Sequence, residues 1–132
     1  MNLQHYSKAD KSKLYYLASP YSHKNPFIRA YRYLAVDYAA AVLTDQGFRL
    51  LEPISMCHHK TVNYNMESGY EFWKVRDRGF IDVSDGVIVL TMPGWLRSIG
   101  VMDEIDHAND QDKPVYELPW LSIVNEQLRK EL

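Results

Sequence analysis

The chain has 132 residues, 46% apolar and 24% charged, with a formal net charge of −2; that balance suits one globular domain with one core and offers no basic field for a nucleic-acid polymer. A single cysteine, Cys57, excludes an internal disulfide, and no apolar run approaches the roughly 20 residues that span a bilayer. Ten tyrosines, three tryptophans and four phenylalanines are many for this length, so some are expected at a ligand site or a subunit contact.

Residues 1–12 read as a polar leader with no segment of signal-peptide type behind it, so the expected location is the cytoplasm. "KLYYLASP" (13–20) reads as a short strand stopped by Ser19 and Pro20. A helix is expected over 25–47, with Asn25 as N-cap, Pro26 at the first helical position and Gly47 as terminator. Phe27, Ala30, Tyr31, Leu34, Ala35, Tyr38, Ala41 and Val42 recur at helical spacing and are its expected buried face.

"FRLLEPI" (48–54) is a second strand candidate, and residues 55–68 show neither period, which points to a long binding loop. Residues 69–85 suit a helix with Tyr70, Trp73, Val75 and Phe80 turned partly inward. "GVIVLTM" (86–92) lacks polar alternation, as a strand covered on both faces should. A helix from Ser98 or Gly100 to Asp110, a strand over 113–118 and an amphipathic helix over 119–132 complete the chain. This alternation implies a single α/β domain with a parallel sheet between helices, and ligands in such sheets sit beyond the carboxyl ends of the strands. The segments to search are therefore 18–24, 53–66 and 92–104.

Glu104 falls in the first turns of the third helix, where the helix dipole favours an ionised carboxylate; Asp103 points about 100° away and serves as plain helix chemistry. Ser98, Ile99 and Gly100 follow a loop containing Gly94, so their N–H groups and a hydroxyl can converge on an anion, or Ser98 can act as an N-cap alone. "MCHHK" (56–60) has no fourth spaced ligand for zinc. It fits a base-contacting loop better, with His58 or His59 reaching a heterocycle and Trp95 or Tyr64 stacking on it.

"YYLASPYS", the "RD" of the second helix, "SDGVIVL" and "SIGVMDEIDHA" followed by "KPVYEL" resemble the nucleoside 2-deoxyribosyltransferase-like superfamily in order and spacing. "YLASPYSH", "PIS", "FWKVRD" and "PGWLRSIGVMDEI" look like a branch of small bacterial and phage proteins within it, with features of the nucleotide N-hydrolases. The resemblance covers roughly residues 14–118 and implies a flavodoxin-like domain that cleaves or transfers an N-glycosidic bond. It leaves the leader, the 55–68 segment and the last helix outside.

By that resemblance Glu104 is the nucleophile that forms a covalent glycosyl-enzyme, Tyr16 orients it, and Asp77 attends the departing base. Tyr15 remains an alternative to Tyr16, since alternate strand residues face opposite sides. The pKa values of the two carboxyls are expected to separate, low at Glu104 and raised at Asp77. The nucleoside transferases carry an acidic residue six positions before the nucleophile, whereas the nucleotide hydrolases carry a serine for a 5′-phosphate; here it is Ser98. Ser19, Ser22 and His23 after the first strand, with Arg29, Arg32 and Arg97, are further candidates for substrate contacts. The resemblance implies a nucleotide or nucleoside as partner, a homodimer or larger homo-oligomer, and no metal or organic cofactor. A non-catalytic nucleotide-binding module of the same fold is the alternative, since "ASP" stands where many relatives carry a glycine-rich turn.

Overall fold

The run without polar alternation lies at the middle of the sheet. In the computed structural model, which describes residues 3–67 and 69–131, the strands are β1 (Gln4–His5), β2 (Leu14–Ala18), β3 (Arg49–Leu51), β4 (Gly86–Thr91) and β5 (Val115–Pro119). They pair in the order β1-β5-β4-β2-β3, all parallel. Helices α1 (Pro26–Asp45), α2 (Pro53–Asn63), α3 (Tyr70–Asp82), α4 (Ile99–Asp110) and α5 (Trp120–Glu131) supply the outer layers. Without the edge strand β1, the order is that of a flavodoxin-like sheet, which reverses direction between β2 and β4. Among the described residues no helix is long and apolar enough to cross a membrane.

Strand alternation divides the core in two. Tyr15, Leu17, Ile88, Leu90 and Leu118 pack under α1 and α5, while Tyr16, Ala18, Val87 and Val89 pack under α3 and α4. Leu17, Ile88 and Leu90 are wholly buried, and each such side chain contributes about 1.5–3 kcal/mol.

The ends of α1 follow the expected chemistry. Asn25 accepts from the Phe27 N–H at 2.9 Å, Pro26 takes the first position, and Gly47 ends the helix at φ +97°, a backbone state that favours glycine. Its buried face differs from the expected one. Ala35, Val36, Ala39, Ala40, Val42 and Leu43 are buried, whereas Phe27, Tyr31, Leu34 and Ala41 are exposed. Two stripes of helical period run side by side here, and the one rich in small residues lets the helix seat closely on the sheet.

Three further expectations are corrected. The leader contributes β1, whose Gln4 and His5 align with Tyr116 and Glu117 at the free edge of β5; two residues are too few to show a period of their own. The expected 55–68 loop is largely α2, which begins at Pro53 just after β3 ends. Val75 faces solvent at 72% exposure, although Tyr70, Trp73 and Phe80 are half-buried as expected. Met1, Asn2, Ser68 and Leu132, which belong to the expected leader, loop and terminal helix, lie outside the described residues.

Candidate active site

A cleft of about 630 Å³ opens beyond the carboxyl ends of β2 and β4, where the strand order reverses. Its floor is the end of β2, its walls are α2 and α3, and its far end is the loop that leads into α4.

Adjacent strand positions settle which tyrosine faces the cleft. Tyr15 points into the α1 side and donates to the Asp10 carbonyl at 2.9 Å, so Tyr16 points to the α3–α4 side and lines the cleft. The Tyr16 hydroxyl donates to Oε2 of Glu104, which is only 8% exposed. Glu104 reaches that point because α4 buries Val101, Glu104, Ile105 and Ala108, a stripe of three- and four-residue spacing with one carboxylate in it.

Asp77 approaches from α3. It lines the cleft, and among the described residues its buried Oδ1 has no hydrogen-bond partner, so it is not a surface charge. A carboxylate oxygen left bare in a cleft is unsatisfied until a ligand or a proton reaches it. Burial pushes the Asp77 carboxyl up to about 7, against a smaller pull from the Tyr16 hydroxyl. The expected low value at Glu104 is overturned. Burial and then the Asp77 charge raise its carboxyl well above the ordinary range, and the Tyr16 hydroxyl offsets only part of this. Desolvation outweighs the helix dipole because Glu104 sits at the sixth residue of α4, past the turn where the dipole acts strongly. Two mutually repelling carboxyls in one enclosed space titrate as a pair.

The far end of the cleft suits an anion. Ser98 is the N-cap of α4, its Oγ accepting from the Val101 N–H at 3.2 Å, and the same hydroxyl keeps its own hydrogen to donate to a ligand. Gly100 follows in the first turn and also lines the cleft. Gly94 sits at φ +96°, and a Cβ there would lie 2.8 Å from an Arg32 guanidinium nitrogen. Arg32 also donates to the Ser22 carbonyl at 2.9 Å, which ties the loop after β2 to the loop after β4.

Of the residues expected from sequence, Tyr16, Ser19, Ser22, His23, His58, Asp77, Ser98, Gly100 and Glu104 line this one cleft, together with Arg32 and Arg97. Ser19 is buried with its hydroxyl 3.7 Å from the Met92 sulfur, and the His23 ring accepts from the Asn25 N–H at 2.9 Å. Four of the expected candidates are not brought in. Arg29 turns to the His23 carbonyl and shapes the loop instead of lining the cleft. Trp95 packs against the core under α3 and α4, whereas Trp73 of α3 lines the cleft. Tyr64 and His59 also stand away from the cleft, exposed to solvent.

Among the lining residues that went unassigned to the site in the sequence are Tyr21, Thr61, Tyr70, Trp73, Lys74 and Asp103, the last expected to serve only the helix. A signal for three of them was present, since Tyr70, Trp73, Lys74 and Asp77 form one stripe of α3 at helical spacing. Among the described residues no group of histidine, cysteine, aspartate or glutamate is arranged to hold a metal ion.

The family model described as a domain of unknown function (DUF1937) matches residues 13–119, and the chain belongs to that family. No curated protein matches the chain.

Proposed function

We propose that this member of the DUF1937 family cleaves or transfers the N-glycosidic bond of a nucleotide or deoxynucleotide, a 5′-monophosphate by preference, through a covalent glycosyl-enzyme on Glu104. The observation that carries the reading is the Tyr16–Glu104 pair, buried at the floor of a cleft whose wall holds a second carboxyl with a bare oxygen. The resemblance to the nucleoside 2-deoxyribosyltransferase-like superfamily rests on these same residues.

A heterocycle leaves poorly as an anion. Asp77 gives its proton to a ring nitrogen while the bond from the sugar's anomeric carbon to the base breaks, its electron pair departing with the base. A Glu104 carboxylate oxygen then bonds the anomeric carbon. Water, or the ring nitrogen of a second base, attacks that carbon, frees Glu104 and loses its proton to Asp77.

The working state has one proton on the pair, held by Asp77, with Glu104 ionised. The hydrogen bond from Tyr16 favours that distribution, and so does the positive charge that develops on the sugar beside Glu104. Ser98, Gly100 and Arg32 receive the 5′-phosphate in this reading. It also carries the expectation of a homodimer or larger homo-oligomer acting in the cytoplasm.

The test incubates the protein with nucleosides and 5′-monophosphates, with and without an acceptor base, and measures free base. Release by the wild type, and its loss in a Glu104→Gln variant that still binds nucleotide, is the expected result. Binding without release in both forms overturns the enzyme in favour of a nucleotide-binding module.

A further inference from the structure

The proposed chemistry makes no use of α2, yet this helix forms one wall of the cleft through Pro53, Ile54, Cys57, His58 and Thr61. Positions i, i+1, i+4, i+5 and i+8 are one helical face, and most of it is polar or only weakly apolar. Cys57 and His58 line the same cleft as Asp77, so α2 and the carboxyl assigned to the departing base face one space.

His58 is held on that wall by two other elements. Its ring stacks flat on Tyr33 of α1, with centroids 4.2 Å apart and planes 12° from parallel. Tyr21, in the loop after β2, meets it edge-on, with the phenol oxygen 2.6 Å from Nδ1. Plane and rotation are both fixed, and among the described residues Nε2 is the ring nitrogen without a hydrogen-bond partner.

The polarity of that nitrogen follows from its partner. A phenol O–H is a better donor than a neutral imidazole N–H, and an imidazole nitrogen a better acceptor than a phenol oxygen, so Tyr21 donates to Nδ1 and the ring hydrogen sits on Nε2. Burial, Arg29 and His59 all disfavour protonation of the ring, and the protonated form would carry a hydrogen on Nε2 as well. Thr61 one turn on spends its hydroxyl hydrogen on the His58 carbonyl at 2.8 Å and so offers only lone pairs.

We propose that α2 is the base-reading wall of the cleft: His58 donates from Nε2 to an acceptor atom on the rim of the heterocycle, a carbonyl oxygen or ring nitrogen, and Tyr21 and Tyr33 position it. This rests on the reading that places the base against Asp77. The ligand class is an N-glycoside of a polar heterocycle with an acceptor in reach of that donor. Bases that lack one leave the N–H desolvated and unpaired, and are rejected for that reason.

The experiment titrates the full chain and its His58→Phe, His58→Gln and Tyr21→Phe variants calorimetrically with AMP, CMP, GMP, UMP and ribose 5-phosphate, and measures base release from the same nucleotides. Phenylalanine keeps the stack on Tyr33 without the donor, glutamine restores an N–H, and ribose 5-phosphate has no base to read. The expected result is a spread between best and worst nucleotide that narrows about tenfold in His58→Phe, through KM more than kcat, with unchanged affinity for ribose 5-phosphate. His58→Gln recovers part of the spread, and Tyr21→Phe narrows it less. An equal loss for ribose 5-phosphate and the nucleotides, or an unchanged spread, overturns the proposal. So does a wild type that binds nucleotides no better than ribose 5-phosphate. If the wild type discriminates among nucleotides but releases no base, the glycosidic reaction fails, and the affinities alone still decide the role of His58.

Discussion

Arg78 and Asp103 are joined between α3 and α4 by a two-pronged ion pair, Nε lying 3.0 Å from Oδ2 while a second guanidinium nitrogen holds Oδ1. Each stands one residue from a carboxyl of the cleft, Arg78 beside Asp77 and Asp103 beside Glu104. The Arg78 guanidinium holds the Asp103 carboxyl below its usual range, so that side chain stays ionised and paired while its neighbours take up protons. The fork therefore sets the spacing of the two groups to which the chemistry is assigned.

Replacing Arg78 tests that spacing. Arg78→Met is expected to lower kcat for base release about tenfold or more with little change in KM, since misplacing reacting groups by about 1 Å can cost about a hundredfold. Arg78→Lys keeps the charge but not the fork and is expected to fall between. Steady-state kinetics check both, and an unchanged kcat in Arg78→Met refutes the spacing role.

Asp77→Asn is expected to trade activity for stability. The folded protein holds the Asp77 proton up to about pH 7, whereas an ordinary aspartate releases it near 3.8. The folded state thus binds the extra proton between those values, and the stability due to it is complete below about pH 4 and lost as pH rises to about 7. Asparagine has no such proton to lose. Urea unfolding is expected to show the variant more stable than wild type by a few kcal/mol at pH 8, with the gap closing near pH 4. A gap that widens toward acid refutes the unpaired buried carboxyl.

Tyr16→Phe removes the donor to Glu104 and leaves a ring of similar bulk in the core. The hydroxyl favours the Glu104 carboxylate, so without it that carboxyl is held higher still. The nucleophile must be ionised, and the acid limb of the pH–rate profile is therefore expected to move to higher pH. A fall in kcat of about a hundredfold is expected with it. An unmoved acid limb shows that Tyr16 does not act on Glu104.

Ser98 separates capping from anion binding. Ser98→Ala loses both and is expected to cost about 1 kcal/mol of stability. Ser98→Asp keeps an N-cap oxygen but sets a negative charge where the phosphate is to bind, so stability is expected to stay near wild type while kcat/KM for 5′-monophosphates falls relative to nucleosides. Thermal melts and a paired substrate panel check the two effects. Equal kinetic losses for nucleosides and nucleotides place the phosphate elsewhere.

The order of strands and helices was legible because each signal is local. An N-cap at Asn25 followed by Pro26, a terminating Gly47 and a strand without polar alternation at 86–91 act within a few residues of themselves. The placement of Glu104 and Ser98 at a cleft followed from the rule that parallel sheets bind ligands at strand carboxyl ends, whereas Tyr16 and Asp77 were assigned to the same site only by the family resemblance. Helix α2 was not legible, since the face it turns inward is mostly polar or weakly apolar and therefore left no hydrophobic period. The cleft position of Trp73 was hidden as well, because it lies inside the predicted helix 69–85 and outside the segments that follow strand ends, whereas Trp95 lies within one of them.

By itself the amino-acid sequence determined most of the segments that coil or extend, the parallel sheet they build, and a set of candidate groups spread over the first strand, three helices and the loops after the strands. Only tertiary structure decided that Tyr16 and not Tyr15 meets Glu104, that α2 walls the cleft, and that Glu104 is pushed toward protonation. Caps and periodicity are fixed by bonded neighbours and the first turn of a helix, whereas desolvation and charge repulsion depend on groups 27 and 88 residues apart along the chain, Asp77 and Tyr16 from Glu104, brought together when the two halves of the core close.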